Sequence, residues 1–182
     1  MDEIARDLRI SKKTIYKYFP SKNVLLKDIC NETTAEIIKN IDFIVEGKED
    51  VVIKFVKLLN MYGNFLRNIS DKWFKDISIH APNIKREIDS RRNDKINKIL
   101  IKLLKQGKKE KLITNYPAQL ILSTFTSSLM SVMQPEFLIN NKFSMHDAFI
   151  ITYEMLLNGI LTDKGKDKFK KEKAKLAREI LG

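Results

Sequence analysis

MDEIARDLRISKKTIYKYFPSKNVLL, residues 1–26, decides the fold. Asp2 to Leu8 has Ile4, Ala5 and Leu8 on one helical face, and Ser11 is a good N-cap for a second short helix ending near Phe19. Pro20 stops that helix, and Ser21 starts a third. Two short amphipathic helices joined by a tight turn, with the small Ala5 allowing close approach, describe a helix-turn-helix. Ile10 and Ile15 are expected to face the same interior as Ile4 and Leu8, with Phe19 closing it. The other face of the second helix shows Lys12, Lys13, Thr14, Tyr16, Lys17 and Tyr18. Lysines neutralise phosphates, and hydroxyls hydrogen-bond to phosphates or base edges, so this face suits a DNA groove. Seven basic against four acidic residues leave residues 1–29 at +3.

Helical periodicity continues along the chain, and no strand alternation interrupts it, so the fold class is all-α. The third helix carries Leu25, Ile29, Ile37, Ile41 and Ile44 and is expected to end near Val45, before Gly47. Asp50 opens a helix with Val52, Phe55, Val56, Leu59, Tyr62, Phe65, Leu66 and Ile69. Trp73, Phe74, Ile77 and His80 mark a shorter one, closed by Pro82. Ile84, Ile88, Ile96, Ile99, Leu100, Leu103 and Leu104 define a long helix expected to end at Gly107. Pro117 suits the first turn of the next, which runs to about Met133, and Ser144 caps a helix reaching Leu161. Residues 164–182 carry eight basic and three acidic residues on a thin apolar stripe of Phe169, Leu176, Ile180 and Leu181. That segment reads as a marginal helix or a mobile, solvated basic tail.

Composition narrows the function classes. The chain has 182 residues, enough to bury a core without disulfides. Its net charge of +11 favours an anionic partner, nucleic acid or an acidic surface. The single cysteine, Cys30, forbids an intrachain disulfide and reads as a small buried side chain on a helix. The acidic start Met1-Asp2-Glu3 is not a secretory signal. Residues 114–135 carry no charge, but ten polar or proline positions within 115–134 argue for a buried helix rather than a bilayer span. A cytoplasmic location is therefore expected. No glycine-rich phosphate loop appears, and His80, His146 and Cys30 form no zinc spacing, so neither an enzyme nor a metal or cofactor is expected.

The stretch IARDLRISKKTIYKYFPSKNVLL resembles the DNA-binding signature of the TetR (tetracycline-repressor-like) family. Ile4-Ala5, Ser11, Thr14, Tyr16, Tyr18-Phe19, Ser21-Lys22 and Leu25 carry the resemblance in consecutive register. It implies that Lys13 and Thr14 read bases, and that Tyr16, Tyr18 and Lys22 hold phosphates. With Ser11, Lys12 and Lys17 from the exposed face, these are the expected DNA-binding residues. The family carries glycine in the turn where Arg9 stands, and left-handed dihedrals there would cost arginine about 1 kcal/mol. The family also places a helix before this segment. The expectation is therefore a DNA-binding unit without its first helix, with Ile4, Ile15 and Phe19 short of a packing partner and DNA affinity impaired.

The resemblance further implies two parts, a DNA-binding and connecting part at 1–45 and a ligand-binding and dimerisation part at 46–182. Helices 114–133 and 144–162 are expected to pair with their copies in a homodimer. The interface residues expected are Leu120, Thr124, Ser127, Ser128, Ser131, Phe149, Tyr153 and Leu156. A two-fold dimer suits a palindromic operator on double-stranded DNA. Met61, Tyr62, Phe65, Trp73, Phe74, Ile77, His80, Phe125 and Met130, with Met133, are the expected lining of a pocket for a small-molecule effector. The reading is a repressor released by that effector. The alternative is a non-catalytic helical protein that binds a ligand or an anionic surface without specific DNA recognition.

Overall fold

The computed structural model describes residues 1–181, and side chains for all of these except Asp71, Phe74 and 179–181. The elements in chain order are α1 (Asp2–Asp7), α2 (Lys12–Tyr18), α3 (Lys22–Glu46), α4 (Val51–Asn68), α5 (Asp71–His80), α6 (Pro82–Lys109), α7 (Ala118–Val132), α8 (Pro135–Asn141), α9 (Met145–Ile160) and α10 (Asp163–Leu181). Among the described residues there is no strand, only a single antiparallel bridge between Ile113 and Leu161. The chain is all-α, as the periodicity requires.

Side-chain caps start α2, α3, α4, α5 and α9. Ser11, Ser21, Ser70 and Ser144 each accept from the backbone N–H three residues on, and Asp50 accepts from Val52 and Ile53. Each satisfies an N–H that the helix itself leaves without a partner. Three stops use an unexpected residue type. Arg9, Lys111 and Lys142 all take positive φ, at 54°, 58° and 56°. After α1 the Arg9 N–H reaches the Arg6 carbonyl and Ile10 N–H reaches Ala5, the paired closure usually built on glycine. Lys111 and Leu112 repeat it after α6, on Lys108 and Gly107.

Gly107 is not the stop that the sequence suggests. The helix continues through Lys109, and a Cβ at Gly107 would overlap Ile113 and Val51. Glycine stands there so that α6 can touch the start of α4. The helix α8, between α7 and α9, was not anticipated from the sequence.

The core joins α3, α4, α6, α7, α9 and α10 through Ile41, Phe55, Leu103, Phe125, Leu157 and Phe169. Phe55, Phe125 and Phe149 each pack a ring against Tyr153 at centroid distances of 6.5, 6.2 and 5.5 Å. One charge is buried with them. Lys54 is 4% exposed and donates to the Val45 carbonyl at 2.8 Å and to Gln106 Oε1 at 2.9 Å. Gln106 in turn donates to the Glu49 carbonyl and to Glu110, and Glu110 accepts from the Val51 N–H. This network fixes the end of α3 to α6.

The basic C-terminal segment corrects the expectation of a tail. As α10 it packs on α4, with Phe169 buried at 4% exposure and Leu176 against the core. Lys168 pairs with Asp50 at 2.6 Å, and Lys173 pairs with Glu154. Burial of one large aromatic makes a sequence with a thin apolar stripe a docked helix. Ile180 and Leu181, also in that stripe, lie outside the described side chains.

Candidate nucleic-acid interface and ligand cavity

The helix-turn-helix is present as α1 and α2. Ala5 and Ile15 are its buried residues, at 8% and 4%, and Phe19 is half-buried. Ile15 therefore does have a packing partner, contrary to expectation. Ile4, Leu8 and Ile10 do not share that interior, being 38%, 62% and 41% exposed. Two helices of six and seven residues are too short to enclose more than one small seam.

All the expected DNA-contact side chains but one lie on the open surface. Ser11, Lys12, Lys13, Tyr16, Lys17, Tyr18 and Lys22 are exposed, and Thr14 is half-buried. Ser11 is a cap as well as a surface residue: its hydroxyl accepts from the Thr14 N–H and meets the Thr14 hydroxyl at 2.8 Å. Lys12 is engaged by Asp2 at 2.9 Å, which raises the lysine pKa and lowers the aspartate's through their hydrogen bond and charge attraction. Lys17 Nζ sits 5.9 Å from the centre of the Tyr18 ring. Lys13 has no such neighbour among the described residues and is exposed.

Above this end, a cavity of about 410 Å³ opens between α3, α4, α5, α6, α7 and α9. Met61, Tyr62, Phe65, Trp73, Ile77, Phe125, Met130 and Met133 all line it. His80 is not among its walls. It is exposed in the last turn of α5, beyond the part that faces inward. Phe74 lies outside the described residues. Two groups of wall residues were missed in the sequence. Ile29, Cys30, Thr33, Thr34, Ile37 and Ile41 bring α3 into the cavity, and Lys85, Asp89, Arg92 and Asn93 bring α6. Both run at three- and four-residue intervals, a signal the sequence did carry. Cys30 is half-buried, and burial pushes its thiol pKa up, which disfavours the thiolate. No group of three or more His, Cys, Asp or Glu among the described residues is placed to hold a metal.

Residues 1–29 match the family described as bacterial regulatory proteins, tetR family. That match covers the helix-turn-helix and the start of α3. Over 178 residues it is 26% identical to the uncharacterized HTH-type transcriptional regulator YvaF of Bacillus subtilis, covering 92% of this chain and 88% of that one. Its fold is similar to a transcriptional regulator from Cytophaga hutchinsonii, with a TM-score of 0.69, 19% identity, and 89% and 88% of the two chains covered. It is also similar to the TetR-family regulator PfmR of Thermus thermophilus, with a TM-score of 0.58, 16% identity and 85% of each chain covered.

Helices α7 and α9, expected from the sequence to pair with their copies, pack on each other and leave one shared face open. Leu120 is 64% exposed, and Thr124, Ser127 and Ser131 follow it on the same side of α7. Ser128 and Leu156 are half-buried. Phe149 and Tyr153 do not belong to that face: at 7% and 8% they are inside their own chain's aromatic cluster. Ile151 and Met155, 57% and 64% exposed, occupy the outer side of α9 instead. Two residues separate the outward Ile151 from the inward Tyr153, a step of about 200° around a helix. No helix among the described residues is long and apolar enough to cross a membrane.

Proposed function

We propose that this chain is a cytoplasmic, dimeric repressor that leaves a palindromic operator when a small-molecule effector fills the cavity. One observation carries the reading. Helix α3 begins at Lys22, directly after the recognition helix, and its middle, from Ile29 to Ile41, is cavity wall. A ligand that displaces α3 at the wall moves the helix-turn-helix at its end, because a helix transmits rigid-body displacement.

In this reading Lys13 and Thr14 face bases, and Tyr16, Tyr18 and Lys22 face phosphates. Leu120, Thr124, Ser127, Ser131, Ile151 and Met155 form the two-fold interface that sets the spacing of two recognition helices. Small side chains on α7 let two copies approach closely, and the exposed apolar residues supply the area. The effector acts only through its difference in affinity between the two dimer arrangements.

Selection from a random duplex library tests the reading. The expected product is a two-fold symmetric sequence, bound with a steep salt dependence. Cys30→Trp, which intrudes on the cavity from α3, is expected to weaken that binding. Equal affinity for random duplex, or for anionic vesicles, would instead favour a helical protein without specific DNA recognition.

A further inference from the structure

Tyr62 on α4 and Arg92 on α6 meet on the cavity wall. The Tyr62 oxygen is the strongest influence on the Arg92 guanidinium, raising its pKa; burial opposes that rise, and Asp89 adds to it. Arg92 Nη2 lies 2.6 Å from Asp89 Oδ1, and the arginine side chain is only 29% exposed. A guanidinium has five N–H donors, so one bond to Asp89 leaves Arg92 with donors to spare. The Tyr62 hydroxyl makes no hydrogen bond to another described residue.

Most other polar groups of the wall are spent. The hydroxyls of Thr33, Thr34 and Thr126 donate to carbonyls of their own helices at 2.9, 2.7 and 2.9 Å, and Tyr153 donates to the Phe55 carbonyl at 3.3 Å. Lys85 is taken up by Asp89 Oδ2 at 2.7 Å and by a further contact. Asp89 thus has one oxygen on each cation. Beyond Arg92 the α6 wall turns apolar, through Ile96, Ile99, Leu100 and Leu103. From Arg92 to Leu103 the helix rises about 17 Å.

We propose that the effector is a neutral carbonyl compound, its oxygen accepting from Arg92 and Tyr62 and its apolar body lying along α6 toward Leu103. This rests on the reading of the cavity as the effector site. Arg92 already has its counter-charge in Asp89. A ligand carboxylate on the same guanidinium would stand beside Asp89, and like charges repel most strongly where the surroundings are apolar. A ligand cation would bring a like charge to Arg92 itself. A carbonyl oxygen accepts the same N–H and O–H bonds without either repulsion, and without the cost of stripping water from an ion.

Trp73 is the sole tryptophan and a wall residue, so its fluorescence reports occupancy in the full chain. The probes are 2-decanone, 1-decene, decanoate and decyltrimethylammonium, which share a ten-carbon chain. The native chain is expected to bind 2-decanone about tenfold more tightly than decanoate. Arg92→Met is expected to weaken 2-decanone about tenfold without weakening 1-decene, since only the ketone loses a bond. Tyr62→Phe keeps the ring on Phe65 and Phe149 and is expected to weaken 2-decanone alone, about threefold. It carries the test even where Arg92→Met does not fold. Asp89→Asn removes the competing carboxylate and is expected to tighten decanoate more than 2-decanone, a change that a merely structural role would not give. Equal effects of both variants on ketone and alkene would overturn the carbonyl proposal and leave the cavity reading standing. So would tighter native binding of decanoate or of the ammonium probe. Binding of none of the four would remove the cavity reading and the proposal together.

Discussion

Single residues decide how the short helix-turn-helix holds its shape and its charge. Arg9 is held at φ 54° between α1 and α2, where an L side chain is strained and glycine is not. Arg9→Gly is expected to stabilise the helix-turn-helix by about 1 kcal/mol, read as a higher denaturation midpoint with an unchanged slope. The gain is local, because the closing bonds from Arg9 to Arg6 and from Ile10 to Ala5 are backbone bonds that glycine keeps. The lysines of α2 are unequal for a similar reason. Lys12 is paired with Asp2, and Lys13 is exposed without an ion pair among the described residues. Lys13→Ala is expected to weaken duplex binding and to lower the slope of log affinity against log salt by roughly 1. Binding titrations at several salt concentrations measure it.

At the scale of elements, α10 shows how one contact turns a charged segment into structure. Phe169→Ala removes its buried ring and is expected to destabilise the protein by about 3 kcal/mol in equilibrium denaturation. The ion pair between α10 and the cap of α4 adds a pH dependence. Burial pulls the Asp50 pKa up, but the Lys168 hydrogen bond and the Ile53 and Val52 N–H groups outweigh it, so the net shift is downward. A carboxylate held below its unfolded value adds stability at neutral pH. That stability is lost as pH falls through the aspartate range toward the folded pKa. Asn caps a helix as well as Asp does, so Asp50→Asn keeps the cap and deletes only the charge. Its stability is expected to fall less than that of the native chain between pH 5 and pH 3, as thermal midpoints at each pH would show.

For the whole molecule, the proposed dimer places two copies on the open face of α7 and α9. Leu120→Glu together with Met155→Lys is expected to give monomers in analytical ultracentrifugation, with the helical signal in circular dichroism unchanged. Both positions are more than half exposed in the single chain, so the substitutions cost the fold little. Operator affinity is expected to fall with the loss of the dimer, because one recognition helix then binds without its partner. A series of pairs also ties α3 to α6 along its length: Lys27 with Glu87, Arg91 with Asn31, Lys95 with Asp42 and Lys102 with Glu46. Together with the buried Lys54 network it makes the helix that follows the helix-turn-helix part of the larger helical body.

The sequence by itself determined the helices, their caps and the exposed lysine and hydroxyl face of α2. These depend on neighbours within a few residues, and Ser11, Ser21, Asp50 and Ser144 are read from such neighbours alone. It also gave the aromatic wall of the cavity, since Tyr62, Phe65 and Phe125 are large and apolar on inward faces. Only the tertiary structure decided which side of α9 faces its own core, placing Tyr153 inside and Met155 outside on a helix apolar nearly all round. It likewise decided that Gly107 serves close packing and that α10 is docked by Phe169. The charged end of the cavity belongs here too. Lys85, Asp89 and Arg92 look like an ordinary solvated stripe until α4, α5 and α7 enclose them, because burial is a property of the neighbours in space.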